Sequence, residues 1–193
     1  MKLHLSTASA YLFLIVVYVW IFFFTSCKQK TDYSKEITSL DSALVKLKKA
    51  ELQFLSADTV SIQGSYEFTK EKLHEIAEKL SKDTVKKKTA TLLASTYEQT
   101  GNLQNLLDNK KYILRAINEA RQRISNLEHD LKEDLIEKNK STEYVTDEIN
   151  TSEKIIQVAG STFEKAKCSV LKLDSLKTPI VFLSDSLKGL KTK

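Results

Sequence analysis

The 193-residue sequence is poor in residues that interrupt regular structure, with one Pro (Pro179) and four Gly (Gly64, Gly101, Gly160 and Gly189). Sandwiches and barrels need turn formers at short, regular intervals, so this scarcity argues against an all-β architecture. Two cysteines, Cys27 and Cys168, are too few for a disulfide framework. There is no Gly-rich phosphate loop, no Cys-x-x-Cys, no His-Glu-x-x-His and no Ser nucleophile elbow. No catalytic residue, cofactor or metal site is therefore expected, and the chain reads as a non-enzyme. Aromatics are also thin after the N-terminus: residues 1–27 hold Trp20, the only Trp, and seven of the sixteen aromatic residues. Without that segment the remainder is only about 36% hydrophobic, below the usual globular range.

The apolar residues that are present divide the chain. Ala10 to Phe24 are fifteen consecutive apolar or aromatic residues, and no charged residue occurs from Leu5 to Cys27. Lys2 and His4 precede the run, and Thr25-Ser26 set small residues directly before Cys27. A polar start, an apolar middle and a small-residue end form the three-part layout of an export signal. With a cysteine directly after it, the segment resembles a bacterial lipoprotein signal. The resemblance covers residues 1–27. It implies cleavage before Cys27, a diacylglycerol thioether on that residue and attachment to the cell-envelope membrane. Phe24 departs from the pattern, because a smaller aliphatic residue is usual there. The competing reading is an uncleaved membrane helix, for which the 22 uncharged residues from Leu5 to Ser26 are long enough.

Five triplets share the pattern Asp, then Ser or Thr, then an aliphatic residue: Asp41-Ser42-Ala43, Asp58-Thr59-Val60, Asp83-Thr84-Val85, Asp174-Ser175-Leu176 and Asp185-Ser186-Leu187. Half of the ten Asp in the chain open such a triplet. They resemble the O-glycosylation acceptor of Bacteroidota, whose envelope lipoproteins are typical carriers. The resemblance implies glycans on Ser42, Thr59, Thr84, Ser175 or Ser186. A plainer role for Asp58-Thr59 and Asp83-Thr84 is helix N-capping. The residues after Cys27, Lys28-Gln29-Lys30, are basic, whereas the surface-export signal of such lipoproteins is acidic. The expected location is therefore the outer membrane, facing the periplasm.

Beyond the tether at 27–32, hydrophobic periodicity predicts an all-α body of long antiparallel helices over 33–177, a bundle or coiled-coil hairpin. Tyr33, Ile37, Leu40, Leu44, Leu47, Glu51 and Phe54 alternate spacings of four and three, with Glu51 the one polar intruder. Asp58 to Gly64 reads as a loop, with a second helix from Ser65 through Thr69, Leu73, Ile76 and Leu80. That stripe blurs over Lys82 to Lys88 and returns at Ala90, Leu93 and Tyr97. Thr100-Gly101-Asn102 and Asn139 to Thr142 are candidate breaks: both together would leave three nearly equal helices at 65–99, 102–138 and 142–177, whereas without either the chain forms an extended hairpin with a helix over 60 residues long. Their stripes are Ile113, Ile117, Ala120, Ile124, Leu127 and Leu131, then Val145 through Leu173. Thr178-Pro179 is expected to end the last helix, leaving a short amphipathic helix and tail over 178–193. Cys168 reads as a small half-buried hydrophobe.

Glu71 and His74 form one Glu-x-x-His pair, but the second pair that a di-iron bundle requires is missing, so they read as a solvated charge cluster. Acids are interspersed among the basic residues, and no basic face carries interleaved aromatics, so nucleic acid is not an expected partner. The expected partners are the membrane, through the lipid anchor, and a protein or second copy docking along helix faces such as the stripes at 113–131 and 145–173. The alternative is a single-pass membrane protein with a ligand-binding or sensory helical module.

Overall fold

A computed structural model describes residues 31–80 and 86–189, with side chains through residue 188. The described residues from Tyr33 on form one compact unit, and it is all-α. It contains α1 (Ser34–Leu55), α2 (Thr59–Leu80), α3 (Lys87–Lys132) and α4 (Lys138–Gly189).

Side-chain pairs fix the directions. Lys46 pairs with Glu153, Phe54 packs on Phe163 and Ser184 bonds Glu75, so α1 and α2 both run alongside α4 in the same direction. Arg121 meets Glu51, and Lys110 approaches Thr59, so both run against α3. Arg123 with Glu148 and Asn102 with Ser169 make α3 and α4 antiparallel. Helices α1 and α2 each pack on α3 and α4 but not on one another. They are two pieces of one rod, and the described helices form a three-rod up-down-up bundle. The 46 residues of α3 span about 69 Å at 1.5 Å per residue.

Each rod buries a seven-residue repeat, the pattern that keeps one seam facing its partners in a left-handed supercoil. In α4, Val145, Ser152, Ala159, Ala166, Leu173 and Ile180 share one buried seven-residue register, and Ser141, Thr162 and Ser169 are buried in a second. In α3, Leu103, Ile117, Ile124 and Leu131 share a seven-residue register, and Leu106, Ile113 and Ala120 share the second. The first rod buries Tyr33, Leu40, Leu47 and Phe54 at intervals of seven, then Ile62, Thr69 and Ile76 at intervals of seven. From Phe54 to Ile62 the interval is eight. One extra residue turns a helix by about 100°, and the break at 56–58 absorbs that turn so that both stripes face the same hairpin.

This places the breaks differently from the sequence expectations. The stretch read as a loop, 58–64, is helical from Thr59, and Asp58 is its N-cap, with its Oδ1 accepting the Ser61 N–H at 3.1 Å. The hydrophobe missed there is Ile62, 7% exposed. The second helix does not continue through 99. It ends at Leu80, and α3 begins at Lys87 and runs without interruption past Gly101. A Cβ at Gly101 would meet nothing within 4 Å, so this glycine serves no close approach. The break expected at 139–142 lies instead at 133–137, and the three equal helices at 65–99, 102–138 and 142–177 are not formed.

The 133–137 turn is a Schellman-type stop. Leu135 N–H reaches Asp130 O at 2.9 Å and Asp134 N–H reaches Leu131 O at 3.2 Å, with Asp134 in the left-handed region at φ 55°. Asp tolerates that conformation better than most residues with a side chain. Ser141, expected in a turn, is fully buried in the first turns of α4. Pro179 does not end the last helix but lies inside it. Both Pro179 and Ser175, whose carbonyl loses its partner to the missing N–H, are exposed, so water can satisfy that carbonyl.

Candidate functional site

Among the described residues no single cleft gathers the chemistry; the polar groups fall into distinct stations along the rods. At one pole the chain enters the bundle at Tyr33, which is 4% exposed. Its hydroxyl donates to the Ile136 carbonyl in the α3–α4 turn, and Lys138 Nζ lies 4.6 Å from its ring centroid. Lys138 also reaches Glu36 at 2.7 Å. The start of the first rod is thus fastened to the turn joining the other two.

The polar intruder Glu51 sits against Lys48 at 2.9 Å and Arg121 at 3.0 Å. Its hydrogen bond from Lys48, aided by the nearby Lys48 and Arg121 charges, holds its carboxyl below the ordinary value. A heptad position that looked like a defect in the sequence is therefore a rim ion pair between α1 and α3.

Midway along the bundle the break at 56–58 leaves a depression of about 300 Å³ against α3 and α4. Its walls include Ala57, Ile62, Leu106, Phe163, Val170 and Leu171. The depression exists because short side chains at 56–58 stand where the seven-residue repeat calls for a large apolar one. A second groove between α2 and α3, of about 340 Å³, is flanked by Tyr66, Lys70, Tyr97 and Gly101. Ala90 and Tyr97 were expected on the seam, yet both are exposed, Tyr97 by 53%. The seam there is polar instead, made by Thr96, Gln99 and Thr100.

Gln99 belongs to a buried relay. Ser169 Oγ donates to Gln99 Oε1 at 2.9 Å and accepts from Asn102 Nδ2 at 3.1 Å, with Ser169 fully buried. Toward the opposite pole, Glu75 receives Ser184 Oγ at 2.6 Å, Lys72 Nζ at 3.1 Å and Lys188 Nζ at 3.2 Å. The Ser184 bond, then those from Lys72 and Lys188, hold its carboxyl at about 2. The same contact raises Lys188. Neither the relay nor this clasp was visible in sequence, since each joins residues about 70 or 109 positions apart. The only hint was small polar residues standing on an otherwise apolar stripe.

The residues singled out from sequence are not brought together. Cys27 and Thr84 lie outside the described residues. Ser42, Ser175 and Ser186 stand on exposed helical faces, each hydroxyl donating to a carbonyl three or four residues back. Thr59 is half-buried at the break, 3.4 Å from Lys110 Nζ. His74, 75% exposed, pairs with Glu78 at 3.3 Å, and among the described residues no group of three His, Cys, Asp or Glu could hold a metal ion. Cys168 is exposed rather than half-buried, because it points away from the seam formed by Ala166, Ser169 and Leu173. The stripes at 113–131 and 145–173, expected to receive a partner, are consumed by packing within the chain, with Ile117, Ile124 and Ala166 fully buried. Any docking face must lie on the exterior.

No described helix is long and apolar enough to cross a membrane. No protein-family profile, curated protein or solved structure matches the chain.

Proposed function

We propose that this chain is a non-enzymatic, lipid-anchored protein of the cell envelope that acts as a scaffold or spacer. It is held by Cys27 in the outer membrane, faces the periplasm, and meets protein partners through the outer faces of its rods. The observation that carries this reading is the bundle itself: three long rods side by side, about 69 Å for α3 and about 78 Å for α4, with their apolar seams closed internally and their stations of polar residues spent on holding the rods together. Such a body sets a distance and presents long helical faces. The lipoprotein-like segment at 1–27 supplies the anchor, and of the acceptor-like triplets the one at Ser42 stands on an exposed face of α1 where a glycan can be accommodated.

Intact-mass analysis of the protein extracted from its native membrane tests the anchor. The expected product begins at a diacylated Cys27 and contains no tryptophan, because Trp20 is the only one. A product that retains residues 1–26 and fluoresces as a tryptophan protein would overturn it. The depression of about 300 Å³ at the helix break favours a second reading, a sensory module that takes a small apolar ligand. That reading requires a ligand-dependent rise in Tm that is abolished by filling the depression with Ala57→Phe.

A further inference from the structure

We infer that the outward face of α4 is a self-docking surface on which a second copy of this chain packs antiparallel, about a two-fold axis at Cys168. The inference rests on the scaffold reading and names the partner of that exterior.

The outer face of α4 is unpartnered along its middle, and Leu171 and Phe182 on it are 67% and 74% exposed. A two-fold axis through Cys168 sets residue 168 + n of one copy opposite 168 − n of the other, as an isologous contact requires. Glu164 and Lys172 stand four residues to either side of Cys168, on its face of the helix. Both are exposed, and neither is ion-paired among the described residues. In the antiparallel pair each Glu164 therefore faces the partner's Lys172, giving two ion pairs from one symmetric contact. Leu171 falls opposite the partner's Lys165, whose methylene stem can cover it. Phe182 falls opposite the partner's Lys154, whose ammonium suits an aromatic face. None of these pairs sets like charges together. A parallel arrangement in register would oppose Glu164 to Glu164 and Lys172 to Lys172, which costs rather than gains.

The geometry admits close approach, because Cys168 and its neighbours one heptad away, Ser161 and Ser175, are small. Helix axes 8 to 10 Å apart with Cα atoms about 2.3 Å off axis bring the two facing Cys168 Cα atoms to roughly 3.4–5.4 Å, the wider part of which is within disulfide reach. The cysteine is the reporter of this contact, and the charge pattern is its cause.

The test is oxidative crosslinking of the full chain in its native membranes. Copper–phenanthroline and oxygen accept the two electrons and two protons released as two Cys168 thiols join. A band at twice the chain mass that is absent in Cys168→Ser is expected. Glu164→Lys and Lys172→Glu each turn two attractive pairs into two repulsive ones and should lower the yield at least about fivefold. The double variant restores opposite charges in every pair, and its yield should return to within about twofold of the parent. These surface changes leave the core intact. No dimer band, a band indifferent to Cys168→Ser, an adduct with a different protein alone, or a double variant no better than the singles overturns the two-fold contact. The lipid-anchored reading fails separately, through the N-terminal mass of the same material: a retained 1–26 segment rules out the processed, lipidated Cys27 and leaves the crosslinking result unaffected.

Discussion

Ser152 and Ser169 are both fully buried seam residues of α4, seventeen positions apart, and substituting each by Ala should change stability in opposite directions. Ser152 Oγ has no hydrogen-bond partner among the described residues. A buried hydroxyl left unpaired costs about 1–3 kcal/mol, and Ser to Ala in a helix interior adds up to about 0.5 kcal/mol of propensity. Against this stands a small void where the oxygen was, worth about 0.3 kcal/mol at 24 cal/mol per Å³. Ser152→Ala should therefore stabilise by about 1–2 kcal/mol, or raise Tm by roughly 3–6 °C for a chain of this size. Ser169 Oγ makes two bonds, to Gln99 at 2.9 Å and from Asn102 at 3.1 Å. Its removal leaves a 2% exposed Gln99 without its hydroxyl donor, so the same substitution should destabilise by about 1–2 kcal/mol. The propensity gain is common to both variants, so their difference isolates the hydrogen bonding. Urea and thermal unfolding of the two variants measure it. Shifts of the same sign, or a destabilised Ser152→Ala, would refute the reasoning that the hydroxyl at 152 is an unmet cost.

Pro179→Ala restores the N–H that pairs with the Ser175 carbonyl and should stabilise by about 1–3 kcal/mol in urea unfolding, the gain reduced by the looser unfolded chain. Gly101→Ala should stabilise by about 1 kcal/mol in the same assay, since the position is an exposed helix interior with open space; a loss would mean that the helix does break there. Glu75 has its carboxyl lowered from 4.5 to about 2, so the stability it contributes is present above about pH 4.5 and lost as pH falls toward 2. Glu75→Gln should flatten acid unfolding curves between those limits while leaving their shape above pH 5 unchanged. In hydrogen exchange, α2 amides should open at least about tenfold more readily than those of α1, because α2 buries Ile62, Leu73 and Ile76 whereas α1 buries Leu40, Ala43, Leu47, Ala50 and Phe54 behind the Tyr33 fastening. Equal protection would contradict the two-piece description of the first rod.

The all-α class and three of the apolar stripes were legible because burial imposes a period that survives in the residue pattern: Leu40, Leu47 and Phe54, then Ile117 to Leu131, then Val145 to Leu173. What misled was punctuation. Gly101 and Pro179 carry the strongest local signals for a break, yet both lie inside helices whose seams remain in phase across them, with Leu173 and Ile180 seven apart on either side of the proline. Tertiary packing outweighs a propensity cost of about 1–3 kcal/mol at a solvent-facing position. The true turn at 133–137 was hidden because its left-handed residue is Asp134 rather than a glycine. The break at 56–58 was seen but drawn too long, because the one-residue slip from Phe54 to Ile62 looks like the loss of a pattern and is in fact a change of phase. Of the candidate site residues, the exposed hydroxyls needed no long-range information, whereas the Glu75 clasp and the Gln99 relay required knowing which rods adjoin.

The relay also explains how so lean a seam settles on one alignment. A seam rich in Ala, Ser and Thr discriminates weakly between registers one heptad apart, since small side chains fit many holes. Sliding α4 by seven residues in one direction replaces Ser169 with Leu176, which leaves Gln99 Oε1 and Asn102 Nδ2 without a hydroxyl between them. Sliding it the other way brings Thr162, which keeps a hydroxyl, but then Phe54 faces Ile156 in place of Phe163 and the aromatic pair at 6.4 Å is lost. Only the observed register satisfies both the polar and the aromatic constraint, much as a single polar core residue fixes alignment in a coiled coil at some cost in stability. Fixing α4 against α3 also fixes which of its residues point outward. The face bearing Glu164, Cys168 and Lys172 is therefore a consequence of the Gln99–Ser169 bond, and loosening that bond should blur the outer surface before it unfolds the rod.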